Sequence, residues 1–365
     1  MNLALSDEQE FLRDAARGAL ARHKTIEAAR EAADGGELPD LWPVAVEAGW
    51  PGLLVSEDNG GAGLGPFDAM LVAQECGRVI AGVALLGHVP ASYLLDRGGY
   101  SRIGEIADGS LRAAFCAARP PSDVDDDWSV EARHGLARGA APAISGDSVT
   151  GEIAWVPDAP GAGVLVVVGV EDGQPVALAV EGASVEDASV YDPTRSLGHV
   201  KLEGATGERL DVSADEIAAA WYIAQALIAA ESVGTVETGL QMSVEYAKER
   251  FTFGRAIGSY QAVKHTLTEV LRQSENAKSL LLYAGWAGEA KADEFPLAAS
   301  AARAAAGSAL DYAARATIGV HGGIGATWEH DAPYLFRRAQ LSRRLLGGTH
   351  GAVDRVAGEL LAGTA

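Results

Sequence analysis

Two short segments carry residue types with recognisable chemistry. The first, Glu249-Arg250-Phe251-Thr252-Phe253-Gly254-Arg255, combines two arginines, a hydroxyl and a glycine, and Gln261 follows shortly after. Guanidinium groups beside backbone N–H groups freed by a glycine turn suit a pyrophosphate. The same residues also describe an ordinary helix end, where basic side chains complement the dipole and Gly254 stops the last turn. The second segment is Val320-His321-Gly322-Gly323-Ile324-Gly325-Ala326-Thr327-Trp328-Glu329-His330-Asp331. Its three closely spaced glycines permit near approach of backbone and angles closed to other residues. Each segment alone supports the bland and the functional reading equally.

Other chemistries lack their signatures. The chain has no G-x-S-x-G, no H-E-x-x-H, no P-loop and no paired C-x-x-C. Its 8 histidines are scattered and read as surface or core residues rather than ligands. The Gly-rich stretch Asn59 to Gly65 is not G-x-G-x-x-G and follows no clear βαβ unit, so it reads as a loop before a helix starting at Pro66.

Three zones must position these segments. Residues 1–110 read as helical, with a capping box at Ser6 and Gln9 and a stripe at Leu12, Ala16 and Leu20. Residues 111–212 change period: Val164 to Val170 is a run dominated by β-branched valine, Asp172-Gly173 turns the chain, and Val176 to Val180 completes a hairpin. The acidic stretch Asp123 to Asp127 reads as a solvated loop. Residues 213–365 hold no proline between Pro193 and Pro296, room for two long helices parted at Arg250 to Ser259. Two more helices, about 296–318 and 331–346, would complete a four-helix bundle. Helices, then strands, then helices predict an α+β fold.

With 365 residues, 48% hydrophobic and 22% charged, the chain has enough material for several packed sub-domains. A net charge of -21 argues against a nucleic-acid partner. Cys76 and Cys116 match no metal pattern, which suits a reduced setting. The amino terminus shows no signal-peptide pattern and no run of about 18 apolar residues occurs, so the expectation is a cytoplasmic protein without a membrane span.

Taken together, E-R-F-T-F-G-R, then I-G-S-Y-Q, then G-V-H-G-G-I-G resemble the acyl-CoA dehydrogenases. The resemblance extends to Val55-Ser56-Glu57-Asp58-Asn59-Gly60-Gly61 and Asp192-Pro193-Thr194-Arg195-Ser196-Leu197, and is most specific in the last third. It implies a helical amino domain, a central β domain and a carboxy-terminal four-helix bundle. It also implies FAD, an acyl-CoA substrate and an electron-transfer flavoprotein or similar acceptor. In that family a carboxylate takes the α-proton while the flavin accepts a hydride from the β-carbon, and the cofactor's ADP half is gripped by a neighbouring subunit. Arg250, Thr252 and Phe253 match that grip, and Gly322 and Gly323 match the glycine turn over the cofactor. Thr349 resembles the threonine of a Gly-Thr pair on the adenosine side, and Trp155 the tryptophan near the flavin.

Departures from the family pattern bear on catalysis. The usual glutamate before the Gly-Thr pair falls at Leu346 or Gly347, and the alternative position on the long helix falls at Ala224, followed by Gln225. Glu231 lies about 10 Å further along that helix at 1.5 Å per residue, and reads as a structural carboxylate. Ala118 replaces the flavin-loop hydroxyl, and Pro157 stands where a hydroxyl residue is usual. The resemblance is therefore to base-lacking subunits of bacterial α2β2 dehydrogenases acting on CoA thioesters such as steroid side chains, with a second dehydrogenase-like chain supplying the base. The alternatives are a self-sufficient homotetramer using Glu231 or His350, a flavin oxidase or monooxygenase, and a binding subunit without catalysis.

Overall fold

The computed structural model describes residues 4–33, 36–117 and 141–362. The acidic stretch 123–127 and the flavin-loop residues 118–123 lie outside them. In chain order the first helices are α1 (Asp7–Leu20), α2 (Thr25–Ala33), α3 (Trp42–Glu47), α4 (Pro66–Arg78), α5 (Leu85–Arg97) and α6 (Ile103–Ala107). The Ser6 capping box forms as expected: its hydroxyl accepts the Gln9 N–H and the Gln9 side chain accepts the Ser6 N–H.

Strands β1 (Ala113–Ala117), β2 (Ala143–Ser145), β3 (Ser148–Pro157), β4 (Val164–Glu171), β5 (Gln174–Glu181), β6 (Ser184–Asp187), β7 (Leu197–Thr206) and β8 (Glu208–Arg209) form one mixed sheet. Its order is β6-β7-β3-β2-β4-β5-β8, with β1 parallel to β4. The predicted hairpin is β4–β5, from Val164 opposite Glu181 to Glu171 opposite Gln174. β4 lies between two cores. Val164, Val166 and Val168 face the helices, while Leu165 and Val167 face a smaller cluster with Ile153 and Val200. Burial on both faces explains a continuous apolar run in place of alternation.

The last part begins with α7 (Ala214–Glu249), a 36-residue helix capped by a Ser213–Glu216 box. A tight hairpin, β9 (Phe251–Thr252) and β10 (Arg255–Ala256), leads into α8 (Gln261–Ala290), α9 (Phe295–His321), α10 (Ala332–Ser342) and α11 (Gly348–Ala362). The helix expected over 331–346 is shorter than the sequence suggested. It stops at Ser342, because Leu346 (φ 46, ψ 55) and Gly348 (φ 71) turn the chain left-handed, and α11 starts anew. By length and composition α7 is apolar enough to cross a membrane, but 89% of its most apolar stretch is buried inside this chain, so it is a core helix.

Small residues let α7 run against α4 at backbone distance. A Cβ on Gly77 would stand 2.0 Å from the Glu231 carbonyl oxygen, and one on Gly234 would stand 2.0 Å from that of Gln74. The freed space is used for hydrogen bonds: Thr235 Oγ1 donates to the Gly77 carbonyl at 2.8 Å and Thr238 Oγ1 to that of Arg78 at 2.7 Å.

Buried ion pairs lock the strands to the bundle. Arg338 on α10 donates to Asp192 at 2.7 Å and to the carbonyls of Ile80 and Thr194. Arg195 pairs with Glu231 through both terminal nitrogens and reaches Ser342 Oγ at 3.4 Å. Asp192 and Arg195 of the D-P-T-R-S-L stretch therefore join β7, α7 and α10.

Candidate functional site

The two segments that opened the sequence reading meet at one end of the bundle. Arg250 caps α7, its N–H donating to the Tyr246 carbonyl at 2.9 Å, and it is exposed. The following hairpin turns through Phe253 (φ 53) and Gly254 (φ 78), both left-handed, as a two-residue primed turn requires. Phe253 is 94% exposed at its tip. The Arg255 guanidinium lies 4.0 Å over the Tyr260 ring, and Tyr260 Oη donates to the Thr252 carbonyl at 3.1 Å. These contacts stiffen the turn without covering its outer face.

Opposite stands the end of α9. Gly322 breaks the helix at φ 65, ψ -138, and a Cβ on Gly322 or on Gly323 would meet nothing within 4 Å. The two helix ends join where the Tyr246 ring stacks on His321, centroids 4.4 Å apart. A groove of about 540 Å³ runs between hairpin and helix end, lined by Thr252, Phe253, Tyr260, Val263, Gly319 and Val320. Thr252 and Phe253 line this groove, while Arg250, Gly322 and Gly323 are exposed at the two helix ends that flank it.

Deeper in the bundle, the two stretches to which the resemblance assigns a base meet through the residue after Ala224. Gln225, buried on α7, donates from Nε2 to the Leu346 carbonyl at 2.8 Å. Ala224 beside it is fully buried, as are Ala226, Ala229 and Ala230, which pack in the helical core. Glu231 is held by Arg195, with side-chain exposures of 7% and 5%, so its carboxylate oxygens already serve a structural partner. His350 is exposed on α11. Thr349 turns inward: its Oγ1 is buried against Gly307 of α9 and finds no hydrogen-bond partner among the described residues.

Two residues here, Arg303 and Asp158, escaped the sequence reading. Arg303, fully buried on α9, donates to the carbonyls of Ser342 and of Leu345, while its Nε and Nη1 stay without partners among the described residues. Burial, then repulsion from Arg195, pushes its pKa down to about 9. A single charge inside the run Ala298 to Ala306 was the available signal. Gln225 was noted only as the neighbour of Ala224, and its long-range contact with Leu346 was not foreseen. Asp158 follows Pro157 at the end of β3, is buried, and accepts the Gly87 N–H at 2.8 Å in the first turn of α5. Burial raises its pKa to about 6.

On the expected flavin side, Trp155 is half-buried at a left-handed φ of 60 and packs edge-on against His199, 4.6 Å between centroids. Pro157 is buried, and Ala118 lies outside the described residues.

Comparison with known proteins agrees with this geometry. Residues 219–360 match the acyl-CoA dehydrogenase C-terminal domain, and residues 6–99 match the acyl-CoA dehydrogenase N-terminal domain. The acyl-CoA dehydrogenase IpdE2 of Mycobacterium tuberculosis is 32% identical over 357 residues, 97% of this chain and 98% of its own length. The chain belongs to the acyl-CoA dehydrogenase family. IpdE2 of Mycolicibacterium smegmatis is 28% identical over 98% of this dehydrogenase chain and 100% of its own. Among solved structures, the Tcur3481-Tcur3483 steroid acyl-CoA dehydrogenase variant superposes with a TM-score of 0.85 at 26% identity, covering 98% of this chain and 99% of that one. The ChsE4-ChsE5 complex of M. tuberculosis shares the fold at a TM-score of 0.84 and 24% identity, over 99% of each chain.

Proposed function

We propose that this chain is the base-lacking subunit of a heteromeric, FAD-dependent acyl-CoA dehydrogenase. It contributes the grip on the cofactor's ADP half, and a partner chain of the same family contributes the catalytic carboxylate. The observation that carries the reading is the coexistence of an open hairpin-and-turn surface with base positions occupied by Ala224, fully buried, and Leu346, whose carbonyl accepts from Gln225 at 2.8 Å.

The chemistry of the clamp residues fits a pyrophosphate. Arg250 offers charge-assisted hydrogen bonds at the end of α7, and the bare turn at Gly322 and Gly323 leaves room where any side chain would intrude. When bound, FAD supplies the acceptor for the hydride leaving the β-carbon. This chain's residues bind and orient. Ala224 and Leu346 carry no group that can take a proton, and Glu231 would have to abandon a buried guanidinium to do so. The proton on the α-carbon therefore has no acceptor at either base position of this chain.

The similarity to a steroid acyl-CoA dehydrogenase supports a bulky side-chain CoA thioester as substrate, with an electron-transfer flavoprotein or similar acceptor taking the electrons. The test is to express the chain alone and with the dehydrogenase-like product of a neighbouring gene, then assay steroid side-chain CoA oxidation. Activity only in the mixture is expected. A yellow, active homotetramer of this chain alone would overturn the proposal.

A further inference from the structure

Beneath the glycine turn, three rings from three parts of the fold pack in a tilted column, with 31° between the planes of Tyr246 and His321 and 54° between those of His321 and His330. Tyr246 of α7 faces His321 of α9, and His321 faces His330, each pair 4.4 Å between centroids. Hydrogen bonds fix the proton on each imidazole. His321 Nδ1 lies 2.8 Å from the Thr317 carbonyl, which can only accept, so that nitrogen carries the hydrogen. His330 Nδ1 accepts the Ala332 N–H at 3.0 Å, so in the neutral ring it is bare and Nε2 is protonated. Ala332 opens α10, and His321 immediately precedes Gly322. The stack thus links the start of α10, the glycine turn and the Arg250 end of α7.

The charged surroundings are specific. Burial holds His330 below the ordinary imidazole range, the charges of His321 and Arg30 act the same way, and Asp331 opposes them. Arg30 of α2 is itself engaged, with Asp331 at 3.2 Å and the Glu329 carbonyl at 2.9 Å. Tyr246 is the group that α7 presents to the stack.

We propose that His330 is a positioning residue for the Gly322–Gly323 turn, and that its protonation in acid releases the cofactor clamp. This rests on the reading of that turn as the ADP-side grip. Protonation places a hydrogen on Nδ1, where the Ala332 N–H already points. Two donors then face each other and the ring must leave. His321 loses the plate beneath it, and Gly322 loses its fixed neighbour. The added positive charge alone would attract a pyrophosphate, so the sign of the pH effect separates loss of geometry from simple electrostatics.

The experiment measures FAD affinity of the full chain, together with the dehydrogenase-like partner proposed above, between pH 8 and pH 5. Wild type, His330→Asn, His330→Ala and Arg250→Ala are compared, with thermal melts confirming folding. Asn keeps an acceptor for the Ala332 N–H and cannot be charged. The expected result is a wild-type affinity that falls toward the acid end of this range, by at most about tenfold per pH unit for a single proton. His330→Asn should stay flat, and His330→Ala should bind weakly at every pH. A His330→Asn curve that follows wild type, or a wild type that binds more tightly in acid, overturns the inference. Arg250→Ala binding as tightly as wild type at pH 8 would instead defeat the clamp reading beneath it.

Discussion

The two ends of the proposed half-site differ in how they treat the backbone. At the clamp, Gly322 and Gly323 stand in open space, Phe253 is 94% exposed, and the left-handed positions lie on the surface. At the former base position another left-handed residue, Leu346, is buried, its carbonyl held by Gln225 and the neighbouring Leu345 carbonyl by Arg303. The turn surface is open, whereas the position around Leu346 is closed and holds no carboxylate. When a catalytic site is shared between chains, each chain needs only its own half, and loss of the other half need not disturb the fold.

The sharpest way to break this contrast is at Glu231. If it is structural, Glu231→Gln leaves Arg195 buried without its charge partner and costs about 3–5 kcal/mol of stability, seen by denaturant unfolding. A stable variant that has lost only turnover would make Glu231 a base and reverse the assignment. Asp158 offers a second, pH-dependent test. Its pKa is raised from 3.8 to about 6 in the folded chain, so the folded state holds more protons than the unfolded one between those values. Stability is therefore lost as pH rises through that window. Asp158→Asn, which keeps an acceptor for the Gly87 N–H, should gain about 3 kcal/mol at pH 7 and nothing near pH 4.

The clamp predicts the opposite pattern, with binding lost and stability kept. Arg250→Ala should weaken FAD retention in the complex by about 2 kcal/mol while moving the melting free energy by no more than about 0.5 kcal/mol. Within the turn, Gly323→Ala should fold normally, because its Cβ meets open space, whereas Gly322→Ala should cost about 1–3 kcal/mol at its left-handed angle. Equal melts for the two variants would show that the turn is not strained as described.

Much of the fold was legible because local patterns carried it. The Ser6 box, the β4–β5 hairpin around Asp172-Gly173 and the proline-free α7 all follow from near neighbours in sequence. The end of α10 was misjudged because Leu341, Leu345 and Leu346 continue an apolar pattern through a break that Gly347 and Gly348 impose. The clamp was legible as two motifs but not as one site, since the Tyr246–His321 stack that joins them is a tertiary contact. The Gln225–Leu346 contact was hidden for the same reason. A lone glutamine in an alanine-rich helix announces nothing until α11 is placed beside it.

The most direct measurement is the flavin content and turnover of this chain purified alone and as a complex with its dehydrogenase-like partner. The account predicts a colourless, inactive chain alone and an active complex that holds fewer FAD molecules than chains. One FAD for every chain, with turnover from this chain by itself, would contradict it.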